Sequence, residues 1–416
     1  MSLTMTKTSN LLASTPEPDL TPGEMISRAK DISAMLVERQ AETEERGYYA
    51  EDTHQLFQDA GFYRCCMPQR FGGYGFDLPT FVEIMSWIAT GCSSTAWQLC
   101  LGAGHAITVA TFYPVEAQAE IFGEGHFVAA STVKPTVIAK RSADGNWILN
   151  GTANFASGSP YSTHFLGYAI EEGADPTKTL PMTYVAPRSS WELLDDWGDT
   201  LGLRGSGSNS VRFTNGIVPA SHVLPHIHAV SAAVTGGTAG STLHDNSLYA
   251  GRQGSAYSFE ASAIYVGMLR AATSLYGDLM KSRSTILPPN VPRVANEDYQ
   301  RHYGELLHRL HVAETLVRGA AQQWMQAARE NMAGIADFTM DIDARISALS
   351  GEVARICWGA ISEIVLPTVG PRDLTRNSRL TRLYRDASMA RSHPFSTMFM
   401  GPSQRILAAG ALMRED

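Results

Sequence analysis

Three groupings in this 416-residue chain bring together side chains capable of chemistry. Trp97, Leu101 and His105 recur every four residues, a spacing that drifts only about 80° around a helix and sets an indole and an imidazole on one face. Such a stripe most often packs into a core and otherwise lines a ligand pocket. His393 precedes Pro394, and the residue before a proline is driven out of helical geometry. Its ring is therefore either offered to a cavity or set as a helix-end cap, where the dipole favours a cation. Glu305-Leu306-Leu307-His308 has the Glu-x-x-His spacing of a di-iron bundle, but such a centre needs a second copy and two further glutamates. No second copy is present. A polar stripe with His308 and His311 near solvent is expected instead.

Other templates fail. No Gly-x-Gly-x-x-Gly opens a strand-turn-helix, and Gly205-Ser206-Gly207 falls between strands, which speaks against a Rossmann nucleotide site. Ser157-Gly158-Ser159 ends a strand without the helix that a nucleophile elbow requires. Five cysteines, Cys65, Cys66, Cys92, Cys100 and Cys357, contain no Cys-x-x-Cys or Cys/His set, so neither a disulfide framework nor a metal is expected. The 33 basic against 41 acidic residues give a net charge of −8, which argues against nucleic acid or an anionic membrane as partner. The longest apolar stretch, Gln98 to Tyr113, is broken by Gly102, Gly104 and His105 and is shorter than the roughly 18 residues a spanning helix needs. Met1 to Pro18 lacks the basic-then-apolar order of a secretory signal, and a cytoplasmic location is expected.

The elements that must position these groups fall into three blocks, with boundaries expected at 20–125, 126–235 and 236–416. Thr21-Pro22-Gly23-Glu24 reads as a capping box with Pro at the first helical position. Further helices are expected from Asp52, from Asp77-Leu78-Pro79 with Phe81, Ile84, Met85 and Ile88 inward, and over Ser94 to Phe112. From His126 the pattern alternates. Strands are expected at His126–Val133, Val137–Ser142 and Asn146–Asn154, the last two forming a hairpin on Asp144-Gly145 with a type I′ turn. More follow at His164–Ile170, Met182–Val185, Trp191–Leu194 and Ser210–Val218. Pro225 to Arg252 reads as a linker. Beyond it, Tyr303, Leu306, Leu310, Ala313, Val317, Ala320 and Trp324 keep the 3-4 spacing of a bundle seam. Helices near Gly254–Arg283, Asp341–Ile364, Ser378–Ala390 and Phe395–Met413 complete the bundle.

Taken in order, several short motifs resemble one family. They are Pro68-Gln69-Arg70-Phe71-Gly72-Gly73, Gly91-Cys92-Ser93-Ser94-Thr95-Ala96-Trp97, Phe155-Ala156-Ser157-Gly158, Gly202-Leu203-Arg204-Gly205-Ser206-Gly207-Ser208 and Arg385-Asp386-Ala387. From about Ile26 to Gly410 the chain resembles the flavin-dependent monooxygenases built on the acyl-CoA dehydrogenase fold. These include the oxygenase components of 4-hydroxyphenylacetate hydroxylase, the steroid-phenol hydroxylases and the dibenzothiophene monooxygenases. The resemblance implies an α+β, mainly α fold: an N-terminal helical domain, a middle β-barrel and a C-terminal four-helix bundle, assembled as a homotetramer.

It also implies a reaction. A separate NAD(P)H-dependent flavin reductase would supply reduced FMN or FAD as a diffusible co-substrate, and oxygen would add to it as a hydroperoxyflavin that hydroxylates a small aromatic or heteroaromatic substrate. Ser131 and Thr132 would hold the pyrimidine edge of the flavin. Phe155, Ala156 and Ser157 would line its middle ring, with Ser157 near N5. Arg283 would reach the flavin phosphates of a neighbouring subunit. His393 would protonate the peroxide or polarise the substrate, and Trp97 and His105 would bound the substrate pocket. N- or S-oxygenation and acyl-CoA dehydrogenation are the alternatives. Against the last, Phe399-Met400-Gly401-Pro402 stands where many dehydrogenases carry a catalytic carboxylate, and a thioether cannot take a proton. Val369-Gly370-Pro371 departs from the family's Gly-Gly turn, leaving FMN against FAD open.

Overall fold

The computed structural model describes residues 13–123, 125–393 and 401–413. The expected start of the last helix at Phe395, with Phe399 and Met400, lies outside them, as do residues 1–12. Helix α1 (Pro22–Arg46) begins at the capping box: Thr21 Oγ1 accepts the Glu24 amide and the Glu24 carboxylate takes the Thr21 amide. The helix ends at a left-handed Gly47. Helices α2 (Glu51–Asp59), α3 (Leu78–Gly91), α4 (Ser93–Phe112) and α5 (Val115–Phe122) follow. Asp77 caps α3 by accepting the Thr80 amide, and Phe81, Ile84, Met85 and Ile88 are buried as their spacing requires.

The alternating region forms one curled sheet from β1 (Ala129–Ser131), β2 (Val137–Arg141), β3 (Trp147–Ala153), β4 (His164–Glu171), β5 (Met182–Pro187), β6 (Glu192–Leu193), β7 (Val211–Val218) and β8 (Val223–Leu224). Its strands lie in the order β6-β7-β3-β2-β4-β5-β8, with β1 parallel to β4. Among the described residues β6 and β8 do not pair, so the expected barrel is not closed by hydrogen bonds. Strand β1 is also shorter than expected. The hairpin forms in register, Arg141 opposite Trp147, but only Gly145 is left-handed. A type I′ turn needs two such residues, and here Asp144 instead accepts the Asn146 amide at 3.1 Å.

The linker reading of Pro225 to Arg252 is corrected. The segment holds α6 (Ala239–His244) and buries Ala229, Val234, Leu248, Tyr249 and Ala250. Its backbone is satisfied inside the protein, which is what lets a segment without regular structure be buried. Buried Asn331 donates to the carbonyls of Val234 (2.5 Å) and Ala250 (2.9 Å), and Tyr249 Oη donates to the Cys66 carbonyl at 3.1 Å.

Helices α7 (Gln253–Ser282), α8 (Glu297–Met332), α9 (Met340–Gly359), α10 (Leu366–Val369), α11 (Arg379–Ser392) and α12 (Gly401–Leu412) complete the fold. The seam on α8 is buried at Leu306, Ala313, Val317, Ala320 and Trp324, while His308 and His311 are exposed. Residues Ala360–Val365 join α9 to α10 in π-helical geometry, directly before Pro367, which has no N–H to offer the preceding turn. The sequence divides into three blocks, but the interior divides into two cores. One lies within the sheet around Phe165, Tyr184, Trp191 and Phe213. The other is continuous from α1 and α3 through α7 and α8. Strand β4 stands between the two and is buried on both faces from Phe165 to Ile170, hence its unbroken apolar run.

Glu260 lies within the helical core, where its side chain fills the space left by Gly104 on α4. Its Oε2 has no hydrogen-bond partner among the described residues, and burial raises its carboxyl well above the usual range. The native state therefore keeps a proton that the unfolded chain releases above about pH 4.5. Stability from this group is present below that pH and declines by about 1.4 kcal/mol per unit as pH rises toward the folded value. Glu260→Gln should remove that decline, so urea unfolding at pH 5 and pH 8 should favour the variant increasingly at the higher pH. Identical pH slopes for the two proteins would show that Glu260 ionises in the folded state.

Candidate active site

The site is built where α4, the turn after β3 and the end of α11 meet. Trp97, on the second turn of α4, donates its indole N–H to Ser157 Oγ at 3.1 Å. The indole meets the His393 imidazole edge-on, with centroids 5.0 Å apart and planes at 72°. Ser157 sits in a turn held by the loop that precedes β7. Ala156 N–H donates to Asn209 O at 3.1 Å, Gly158 N–H to Ser206 O at 3.1 Å and Ser159 N–H to Gly207 O at 3.3 Å. Gly207 is left-handed, and a Cβ there would overlap the Gln98 side chain, so this loop can approach α4 only without a side chain.

Two serines of that loop extend the polar contact. Ser208 Oγ is 2.7 Å from Ser157 Oγ and 2.6 Å from Ser206 Oγ. Since Trp97 can only donate, Ser157 accepts from it and has one hydrogen to give. That hydrogen points along the chain to Ser208 or, when Ser208 donates back, outward to a ligand. Phe155 opens the turn at φ +63°, a conformation that costs a non-glycine residue about 1–3 kcal/mol. Its ring is 66% exposed and edge-on to Trp197, centroids 6.2 Å apart.

Helix α11 is set by Asp386. This buried carboxylate accepts the Leu203 amide at 2.7 Å and the Ser93 hydroxyl, and a Cβ on Gly202 would collide with the Arg385 carbonyl. Seven residues on, His393 ends the helix in extended geometry (φ −65°, ψ 144°). Burial pushes its imidazole down to about 4. The ring is thus neutral near pH 7.

His105 lies elsewhere. Eight residues beyond Trp97, about 12 Å along the helix, its Nδ1–H donates to the Ala129 carbonyl of β1 at 2.7 Å. Its ring faces Tyr257, centroids 5.8 Å apart, whose hydroxyl is 2.6 Å from Thr108 Oγ1. Burial lowers His105 to about 4 as well, outweighing the hydrogen bond to Ala129. The structure thus brings Trp97, Ser157 and His393 together and leaves His105 in a separate buried set. The contributions of Ser206, Ser208 and Asp386 were missed as roles, although their motifs were visible. The serine pair at i and i+2, set around Gly207, was the available signal.

Ser131 closes β1 and Thr132 follows it. Both are half-buried, and neither side chain makes a hydrogen bond to a described residue. Helix α4 links the two places, meeting β1 through His105 and Ala129 and the turn after β3 through Trp97 and Ser157. Arg283, at the end of α7, is held by Asp373 at 2.6 Å. No group of metal-ligating side chains is found among the described residues, and no described helix is long and apolar enough to cross a membrane.

Comparison with known proteins agrees with this architecture. Residues 27–120 match the acyl-CoA dehydrogenase N-terminal domain and 259–397 its C-terminal domain. The chain is 29% identical over 200 residues to the oxygenase subunit HsaA of a flavin-dependent monooxygenase from Rhodococcus jostii, covering 48% of this chain and 51% of that protein. It is 26% identical over 231 residues to the oxygenase component of an FADH(2)-dependent resorcinol hydroxylase from a Rhizobium species, covering 55% and 56%. The chain thus spans little more than half the length of these curated relatives. In fold it is similar to the crystal structure of a 3-HSA hydroxylase from a Rhodococcus species, with a TM-score of 0.82 and 21% identity over 94% of this chain and 98% of that one.

The neutral imidazole beside Trp97 is open to measurement. An imidazolium in edge contact with an indole quenches its emission. The fluorescence difference between the native protein and His393→Gln should therefore stay flat from pH 8 to 5.5 and change near pH 4. A midpoint at 6 or above would place the ring in solvent as a cationic cap.

Proposed function

This chain belongs to the acyl-CoA dehydrogenase superfamily, and from that premise we propose that it is the oxygenase component of a two-component flavin-dependent monooxygenase acting on a small aromatic or heteroaromatic compound. The observation that carries the reading is the chemistry meeting at Trp97. Among the described residues it is a hydroxyl, an indole and a neutral imidazole. The buried carboxylate of α11, Asp386, is turned to Leu203 and Ser93 and so is not offered as the base that acyl-thioester oxidation requires. A resorcinol hydroxylase and other oxygenase subunits among the relatives support the same class of acceptor.

In this reading, reduced FMN or FAD from a separate NAD(P)H-dependent reductase supplies the two electrons that activate dioxygen. Ser131 and Thr132 hold the polar edge of the ring system, and Phe155 and Ala156 cover its face. Ser157 presents its hydroxyl to N5, with the direction of its hydrogen set by Ser208. His393 is neutral at working pH, so it polarises the substrate's polar group by hydrogen bonding rather than arriving charged. Trp97 fixes both groups and walls the substrate side. His105 bounds the same helix further along, toward β1. Arg283 of a neighbouring subunit would reach the flavin phosphates in a homotetramer, a reading supported by the exposed Ile286 and Leu287 in the loop that follows it.

Reduced FMN or FAD, oxygen and a panel of phenols should yield a hydroxylated product carrying one atom of ¹⁸O from labelled dioxygen, with little hydrogen peroxide. Anaerobic reduction of tightly held FAD by acyl-CoAs would replace this reading with the dehydrogenase. Ser157→Ala should release hydrogen peroxide several-fold to tenfold faster, as the loss of one hydrogen bond of about 0.5–1.5 kcal/mol implies. Ser208→Ala should show a smaller increase. His393→Ala should consume oxygen yet hydroxylate about 10²–10⁴-fold more slowly. Wild-type coupling in that variant would leave His393 a purely structural helix end.

A further inference from the structure

A cavity of about 790 Å³ lies between the C-terminal part of α1, the loop at Thr200–Arg204 and the first two turns of α11. Its lining includes Arg204, Arg376, Arg382 and Arg385 against Glu44 and Glu45, an excess of positive charge in a chain whose net charge is −8. Glu44 is engaged on all sides. Arg382 Nε is 2.7 Å and Arg385 Nη1 2.5 Å from its carboxylate, with Arg204 Nη1 at 3.7 Å. Burial pushes the Glu44 carboxyl up, but hydrogen bonds from Arg385 and Arg382 outweigh it and keep the group ionised. One carboxylate thus serves three guanidinium groups. Exposed Arg376 makes no hydrogen bond or ion pair with a described residue.

Guanidinium groups are planar forks suited to phosphate oxygens, and clustered positive charge in a concave site concentrates anions. The volume is far more than a bare inorganic anion needs, given that a water takes about 30 Å³, and falls in the range of small-molecule sites. Leu201 and Ala41 add apolar wall. We propose that this cavity binds a phosphorylated organic molecule, its phosphate on Arg376 and Arg204 and its organic part along the Leu201 side. The site is separate from the one at Trp97: Arg385 stands eight residues before His393, about 12 Å along α11. The two communicate physically, because the loop whose Leu201 carbonyl receives Arg385 also carries Ser206 and Ser208.

Calorimetric titration of the full-length protein with ADP and, separately, with inorganic pyrophosphate tests this. ADP should bind saturably at one site per chain, more tightly than pyrophosphate and more weakly as salt rises. Arg376→Gln should weaken it at least tenfold, and Arg283→Gln should leave it unchanged. Pyrophosphate binding as tight as ADP would mean an inorganic-anion site and overturn the organic ligand. Loss of binding in Arg283→Gln but not in Arg376→Gln would place ADP where flavin phosphates are expected and overturn the cavity assignment. Absence of saturable binding, as when a neighbouring copy fills the cavity, overturns it too.

Discussion

The site depends on one buried carboxylate. Asp386 receives the Leu203 amide on one oxygen and the Ser93 hydroxyl on the other, so a single side chain of α11 fixes the start of α4 and the loop before β7. Everything that meets at Trp97 comes from those three elements or is held by them. Trp97 is one turn beyond Ser93, His393 is two turns beyond Asp386, and Ser157 is held by the loop at Ser206–Asn209. Burial raises the Asp386 carboxyl, while its bonds to Ser93 and Leu203 pull the other way. Inside a low-dielectric interior such a group is tolerable only because both oxygens are satisfied.

The same interior sets the chemical character of the site. His393 and His105 are both driven down to about 4 by burial; His393 meets an indole, and His105 a tyrosine ring and the Ala129 carbonyl. A site of this kind holds little fixed charge of its own. It can orient hydrogen bonds toward a polar ligand without paying to reorganise ions, and any charge that develops there is contributed by what binds. The strained, exposed Phe155 belongs to the same design, since backbone strain persists only where the surroundings over-determine it.

Much of this was legible in the sequence because it rests on local chemistry. The Thr21 capping box, the Asp77 start of α3, the apolar face of Phe81, Ile84, Met85 and Ile88, and the α8 seam all follow from spacing and appear as expected. Trp97 and His393 could be singled out because an aromatic stripe and a His-Pro break are short-range signals. What was not legible depends on distant partners. Nothing in Pro225 to Arg252 announces that Asn331, some 80 residues on, satisfies its backbone. Nor does the even spacing of Trp97 and His105 reveal that one reaches Ser157 and the other Ala129. Periodicity assigns a face, but where along that face a neighbour ends is decided by tertiary packing.

The continuity of the helical core also has a consequence for biosynthesis. Helix α3 is complete at Gly91 and packs on α1 and α4, yet a further face of it lies on α7, which ends at Ser282. At about 5–20 residues per second, roughly ten to forty seconds separate the two on a ribosome. During that interval the sheet, whose core is its own, can form, while the face of α3 that α7 will cover remains without its partner. The nascent chain therefore needs shielding early rather than late, and a truncation ahead of α7 leaves a sticky fragment, not a smaller folded protein.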